Sequence, residues 1–182
     1  EMREAAEELF ADSDLFTSVA GSAEETTLPA GSVELVAAGQ AFHWFDPQRA
    51  RPELERILQT GGWVTLIWND RRKTSTPFLQ AYEELLLTWA TDYREVDHTR
   101  IGQIEIESFL GPGEVATATF DNRQSFGYEG LEGRLLSSSY SPAAGHPKHR
   151  LMVEALRSIF DTHQTEGRVT IEYDTRVYLY QM

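Results

Sequence analysis

Hydrophobic patterning predicts an α/β fold built on a mostly parallel open sheet, and three observations carry that prediction. Val33, Leu35 and Val36 form a short apolar run within residues 32–38, suited to burial on both faces of a strand. Asp46-Pro47 then supplies an N-cap and a first-turn proline, with Leu54, Ile57 and Leu58 as the apolar stripe of a helix. Trp63–Trp68 is nearly continuous apolar sequence with β-branched Val64, Thr65 and Ile67, the pattern of a central strand. Strand, helix and strand at this spacing make a βαβ unit with a right-handed crossover.

The other elements follow in order. Met2–Phe10 has helical spacing, broken by Asp12-Ser13-Asp14, and Leu15–Val19 has the content of a short strand. Gly61-Gly62 ends the helix that Pro47 opens. Asp70-Arg71-Arg72-Lys73 reads as a solvated turn, although a cationic loop could also draw in an acidic substrate. A helix spans about Pro77–Trp89, with Phe78, Tyr82, Leu85, Leu86 and Trp89 inward, and a shorter one covers Ile104–Leu110. Glu114–Phe120 alternates as a strand, Leu131–Ser138 and Pro147–His163 are helical, and residues 168–180 form a C-terminal edge strand antiparallel to its neighbour.

Composition narrows the function. The 182 residues carry 29 acidic and 16 basic side chains, a formal charge of −13, with no basic stripe to neutralise phosphates. Nucleic acid and anionic membrane surfaces are therefore excluded as expected partners. There is no cysteine, hence no disulfide framework or thiolate metal site. No apolar run approaches the roughly 20 residues needed to span a bilayer, and Glu1-Met2-Arg3 does not open a signal peptide. A cytoplasmic protein is expected. His146 and His149 sit at a helix start with no acidic partner at ligand spacing, so no metal site is assigned.

The run Val33-Glu34-Leu35-Val36-Ala37-Ala38-Gly39-Gln40-Ala41-Phe42-His43-Trp44-Phe45-Asp46, followed by Arg56-Ile57-Leu58 and Gly61-Gly62-Trp63, resembles the fourth to sixth motifs of class I methyltransferases dependent on S-adenosylmethionine (SAM). The likeness is to the type 11-like small-molecule branch, and it continues through Trp68-Asn69, Ser139-Tyr140-Ser141-Pro142 and Tyr173-Asp174-Thr175. It implies a Rossmann-like sheet in a single domain over 1–182. Helical lid insertions would lie at about 75–110 and 128–163. The implied activity is methyl transfer from SAM to an O, N or C nucleophile of a small molecule, with S-adenosylhomocysteine as product.

The resemblance also implies a site. Ser22 would face the adenine amine, the Ala23 N–H a ring nitrogen, and Glu24 would flank them. Ser22 stands where an Asp is common, so the bond to the amine would be weaker. Gly39, Gln40 and Ala41 would place backbone carbonyls against the methionine amino group, with His43 and Trp44 beside them. Taken singly, a glycine after a strand is more often a turn, and Phe42, Trp44 and Phe45 more often packing. His43 could act as a base. A pocket-shaping role is favoured, because transfer to an ionised carboxylate needs only alignment and desolvation. Trp68, Asn69, Tyr93, Tyr128 and Tyr140 are the candidate substrate contacts, whereas the spacing of Tyr82 and Trp89 marks them as core.

The glycine-rich turn and ribose-binding acid of the family, and its first strands, are absent from this sequence. Either a longer enzyme supplies them, or the chain is a short protein in which Leu15–Val19 closes the gap beside Val33–Val36. In the second case the chain would be a binding or dimerisation module without SAM affinity. A bare strand edge invites pairing, so a homodimer through that edge is the favoured assembly.

Overall fold

A computed structural model describes residues 2–93 and 103–182. The order of elements is α1 (Met2–Leu9), β1 (Val33–Gly39), a 3₁₀ turn (Phe42–Trp44), α2 (Pro47–Ile57), β2 (Leu58–Arg71), α3 (Pro77–Trp89), α4 (Gln103–Leu110), β3 (Ala116–Phe126), α5 (Tyr128–Leu136), α6 (Pro147–His163) and β4 (Val169–Gln181). The middle of the first expected lid insertion, 94–102, lies outside the described residues.

Four strands form one open mixed sheet in the order β1-β2-β4-β3. The Arg72 N–H donates to the Glu172 carbonyl and the Met182 N–H to the Gly62 carbonyl, each at 2.9 Å, which makes β4 antiparallel to β2. The antiparallel member is thus the C-terminal strand, as the patterning predicts. Its place differs. β4 is paired on both sides, and β3 takes the edge. The burial explains the exchange: β4 buries Val169, Ile171, Tyr173 and Tyr180, while no residue of β3 is buried.

The chain divides into two compact units, Glu1–Leu66 with Gln103–Ala116 and Leu179–Met182, and Ile67–Gly102 with Thr117–Tyr178. In the first unit α2 turns Ala50, Leu54 and Ile57 inward, and the Phe42 ring lies 4.6 Å from that of Phe109 on α4. Arg51 donates to the Phe109 carbonyl, and the Tyr180 hydroxyl donates to the Pro112 carbonyl at 3.0 Å. In the second unit α3 and α6 pack through Leu79, Leu86, Met152 and Leu156, α5 adds Leu131 and Leu135, and Ile171 and Tyr173 of β4 join the same core. Pro77 and Pro147 open α3 and α6 after the N-caps Thr76 and His146.

Four expectations change. Leu15–Val19 is irregular rather than a strand, with Leu15 99% exposed. An isolated five-residue run gains nothing from extension without a ladder partner, and β1 is bonded only to β2. β1 is accordingly not buried on both faces; only Ala38 is buried, and Leu35 is 54% exposed. Gly61-Gly62 does not end α2 but lies inside β2, where Gly61 takes φ +76° and a Cβ at Gly62 would come within 2.9 Å of the Gln59 carbonyl. Residues 70–73 are not a solvated turn: Arg71 pairs with Glu83, Arg72 with Asp174 and Asp121, and Arg176 with Asp70.

Leu79→Ala should cost about 2–5 kcal/mol because it empties a fully buried site between α3 and α6. Leu151→Ala, on the exposed side of α6, should stay within about 0.5 kcal/mol. Denaturant titration of the two variants checks the contrast.

Candidate functional site

The end of β1 sets the geometry of the first unit's site. The chain leaves Gly39, takes a left-handed φ of +52° at Gln40, and enters the 3₁₀ turn Phe42–Trp44. Phe42 points into the core, which fixes the turn. His43 is half-buried with its ring 4.9 Å from that of Trp44, and Trp44 itself is 71% exposed. Asp46 then caps α2, accepting from the Gln48 N–H at 3.0 Å.

A second segment is tied to this one by carboxylates. Ser22 and Glu25 exchange backbone bonds of 3.0 and 3.2 Å, which leaves Ala23 and Glu24 at the tip of a tight turn. Gly21 is required there, since a Cβ would lie 2.7 Å from the Glu25 carbonyl oxygen. The Glu24 carboxylate accepts from the Asp46 N–H at 2.9 Å. That bond, with further ones from the Ser22 hydroxyl and its own backbone N–H, holds the Glu24 pKa below the ordinary range. On α2, Glu53 accepts from both the N–H (2.8 Å) and the hydroxyl (2.6 Å) of Thr26. Its bonds from Arg56 first, and then from Thr26, bring its pKa down to about 2. These tethers hold Thr27 at φ +63°, a strained conformation for a β-branched residue.

The turn, the end of β1 and α2 enclose a cavity of about 450 Å³. Ala23, Gly39 and Ala41 of the anticipated cofactor residues line it. Phe45, which the motif run contains and which was read as packing, also lines it, as do Thr26 and Leu28, which no motif singled out. The remaining walls are the apolar residues of β1 with Leu54 and Ile57. Among the described residues no acceptor takes the Ala23 N–H. Ser22, Glu24, Gln40, His43 and Trp44 border the same segments without lining the cavity.

The anticipated substrate residues all fall in the second unit. Trp68 is buried with its ring 5.8 Å from that of Tyr178. The Asn69 amide oxygen accepts from Thr175 at 2.6 Å and from Asn122 at 3.2 Å. The Tyr93 ring meets that of Tyr140 edge-on at 5.1 Å, and its hydroxyl donates to Glu83 at 2.8 Å. Tyr128 packs on Phe160 and lies under the Arg157 guanidinium. Tyr82 is buried in the core, where its spacing placed it.

Comparison with known proteins sharpens this picture. Residues 1–66 match a family model described as a methyltransferase domain. A stretch of 51 residues is 51% identical to an uncharacterised methyltransferase of Mycobacterium tuberculosis, covering 28% of this chain and 21% of the relative. Over 66 residues the chain is 44% identical to an uncharacterised methyltransferase of Schizosaccharomyces pombe, covering 36% of this chain and 26% of the relative. The match thus spans between a fifth and about a quarter of these relatives' length. Among solved structures, a protein of Anaeromyxobacter dehalogenans described as a type II methyltransferase aligns with a TM-score of 0.57 at 20% identity, over 88% of this chain and 69% of that one. The YcgJ protein of Bacillus subtilis aligns at 0.50 and 16%, over 100% and 79%. At such identities the structures show likeness of fold. The resemblance to class I SAM-dependent methyltransferases therefore stands on the family match in residues 1–66 and on the fold.

The tether to α2 gives a pH signature. Because the folded-state pKa of Glu53 is depressed from 4.5 to about 2, its contribution is complete above pH 4.5 and is lost as pH falls toward 2. The Thr26 amide, followed by NMR, should stay protected at neutral pH and lose protection across that window. In Glu53→Gln it should be weakly protected throughout; an amide indifferent to both changes would contradict the tether.

Proposed function

We propose that this chain takes part in SAM-dependent methylation of a small molecule, and that its first unit binds the adenine end of the cofactor. The observation that carries the reading is the 450 Å³ cavity, whose lining residues Ala23, Gly39 and Ala41 fall within the segment matched by the methyltransferase family model. The residues fit adenine. Apolar walls suit a planar ring, the Ala23 N–H is available to a ring nitrogen, and Ser22, donating to Glu24, keeps lone pairs for an exocyclic amine. Bound SAM supplies an electrophilic methyl group on sulfur. Gly39, Gln40 and Ala41 offer carbonyls to its amino group, and Gly39 allows close approach. His43, half-buried against Trp44, shapes the pocket rather than moving a proton. Of the anticipated acceptor residues, Tyr93 and Tyr140 form an aromatic pair within the second unit.

The glycine turn and ribose acid are not in this sequence, so the contacts to ribose and methionine carboxylate are missing. Calorimetry on the 182-residue chain should therefore find SAM binding weaker than a dissociation constant of about 1 μM, or about 8 kcal/mol. Binding tighter than that would show that other residues complete the pocket.

A second reading, a dimerisation module, rests on the outer edge of β1. That edge is bonded to no strand among the described residues and carries exposed Leu35. Unpaired N–H and C=O groups beside apolar side chains invite a second copy. Light scattering over a range of concentrations should then show a dimer; a monomer at every concentration would contradict it.

A further inference from the structure

The outer side of β3 pairs with no strand among the described residues, and none of its 11 residues is buried. The run Ala116–Phe126 contains neither proline nor glycine, and its threonines and phenylalanines favour extension. Phe120 leaves 57% of its surface in water. Edges of this length are usually blunted by charges of one sign, a proline or a bulge, any of which turns a second copy away. The charges here do the reverse. Asp121 and Arg123 are the strand's only charged residues, opposite in sign and two positions apart, hence on one face. Each has a partner on its inner side, Arg72 for Asp121 and Glu172, at 3.7 Å, for Arg123. Both stay open, with 72% and 65% of their side chains exposed, so each has room for a second partner.

The strand is complementary to itself in one register. In an antiparallel pair about a two-fold axis through Asn122, Asp121 lies directly opposite the partner's Arg123, and the axis repeats the pair. Charges then alternate across the join, from Arg72 to Asp121, to the partner's Arg123 and to the partner's Glu172. The same register sets Thr119 opposite the partner's Ser125, a hydroxyl pair of a kind that stabilises sheets. Moving the axis to Asp121 or to Arg123 sets like charges face to face, which destabilises.

A chain of net charge −13 repels its copy at long range. That charge is unevenly divided. The first unit holds 15 acidic and 4 basic side chains, the second 14 and 12, and β3 belongs to the second from Thr117 onward. Of the two bare edges, β3 is therefore the one where the field opposes a second copy least.

We infer that two copies of this chain associate through β3, antiparallel about Asn122, and join their four-stranded sheets into one. The inference does not rest on the cofactor reading, and its edge is not that of β1. A strand pair is smaller than the roughly 1,200 Å² of standard interfaces, so the dimer is reversible and concentration-dependent.

Analytical ultracentrifugation of the full chain over a range of concentrations tests it. The parent should pass from monomer to dimer. Asp121→Arg and Arg123→Asp should each weaken association about tenfold or more, because each sets like charges opposite one another twice. An equimolar mixture of these two variants should dimerise more tightly than either alone, since one strand then offers two cations to the other's two anions. Leu35→Lys, on the edge of β1, should change nothing. A monomer at every concentration, a dimer that neither single variant weakens, or variants that stay apart on mixing would overturn the inference. A dimer lost in Leu35→Lys instead would overturn it in favour of β1.

Discussion

Everything in this fold depends on one constraint: β2 is apolar through its middle and must have hydrogen-bonding partners along both edges. Val64 and Leu66 are fully buried and Thr65 and Trp68 nearly so, a pattern that only an interior strand sustains. The sheet answers with β1 on one side and the antiparallel β4 on the other. β4 in turn needs β3, and β3 can be short of buried side chains because it ends the series. The opposite end of the sheet is less settled chemically. β1 ends the series too, yet it exposes Leu35 rather than the charged or interrupted sequence that protects most edges.

The candidate adenine site is a consequence of the same arrangement. A strand that must run beside β2 and then give way to α2 has to reverse within Gly39–Asp46, and that reversal brings backbone groups and Ala41 to the mouth of a cavity. What shapes the other side of the cavity is electrostatic. Glu24 and Glu53 reach from the turn and from α2 to backbone N–H groups that no regular element satisfies, so an otherwise irregular segment is held at the site. Sites of this kind sit outside the carboxyl ends of strands in open α/β sheets for the same reason: loops there can be shaped without disturbing the ladder.

How much of this the sequence revealed follows from which forces are local. The prolines and caps at Asp46, Thr76 and His146 act within one turn, so α2, α3 and α6 are legible to within a residue of their starts. The βαβ unit was legible because two apolar runs flank a helix with a clear cap and first-turn proline. The role of Leu15–Val19 was not, because extension there depends on a partner strand that no local pattern specifies. The place of β4 failed in the same way: alternation reports a strand, while its neighbours are set by packing far along the chain. Arg71 illustrates a third limit. A run of Asp, Arg, Arg and Lys looks solvated, and only the fold shows that Glu83 and Asp174 draw its arginines into ion pairs. At the candidate site, Ala23, Gly39 and Ala41 were recoverable from the motif, whereas Thr26 and Leu28 enter the cavity through a tether to Glu53 that lies 27 residues away from Thr26 in sequence.

The central claim is that the cavity beside β1 receives the adenine of SAM. Intermolecular NOE measurements at saturating SAM address it directly, because Ala23 and Ala41 both line the cavity and each carries a methyl group. The account predicts contacts from the adenine ring protons to both methyls. Saturable SAM binding that gives adenine contacts elsewhere, with none to Ala23 or Ala41, would contradict it.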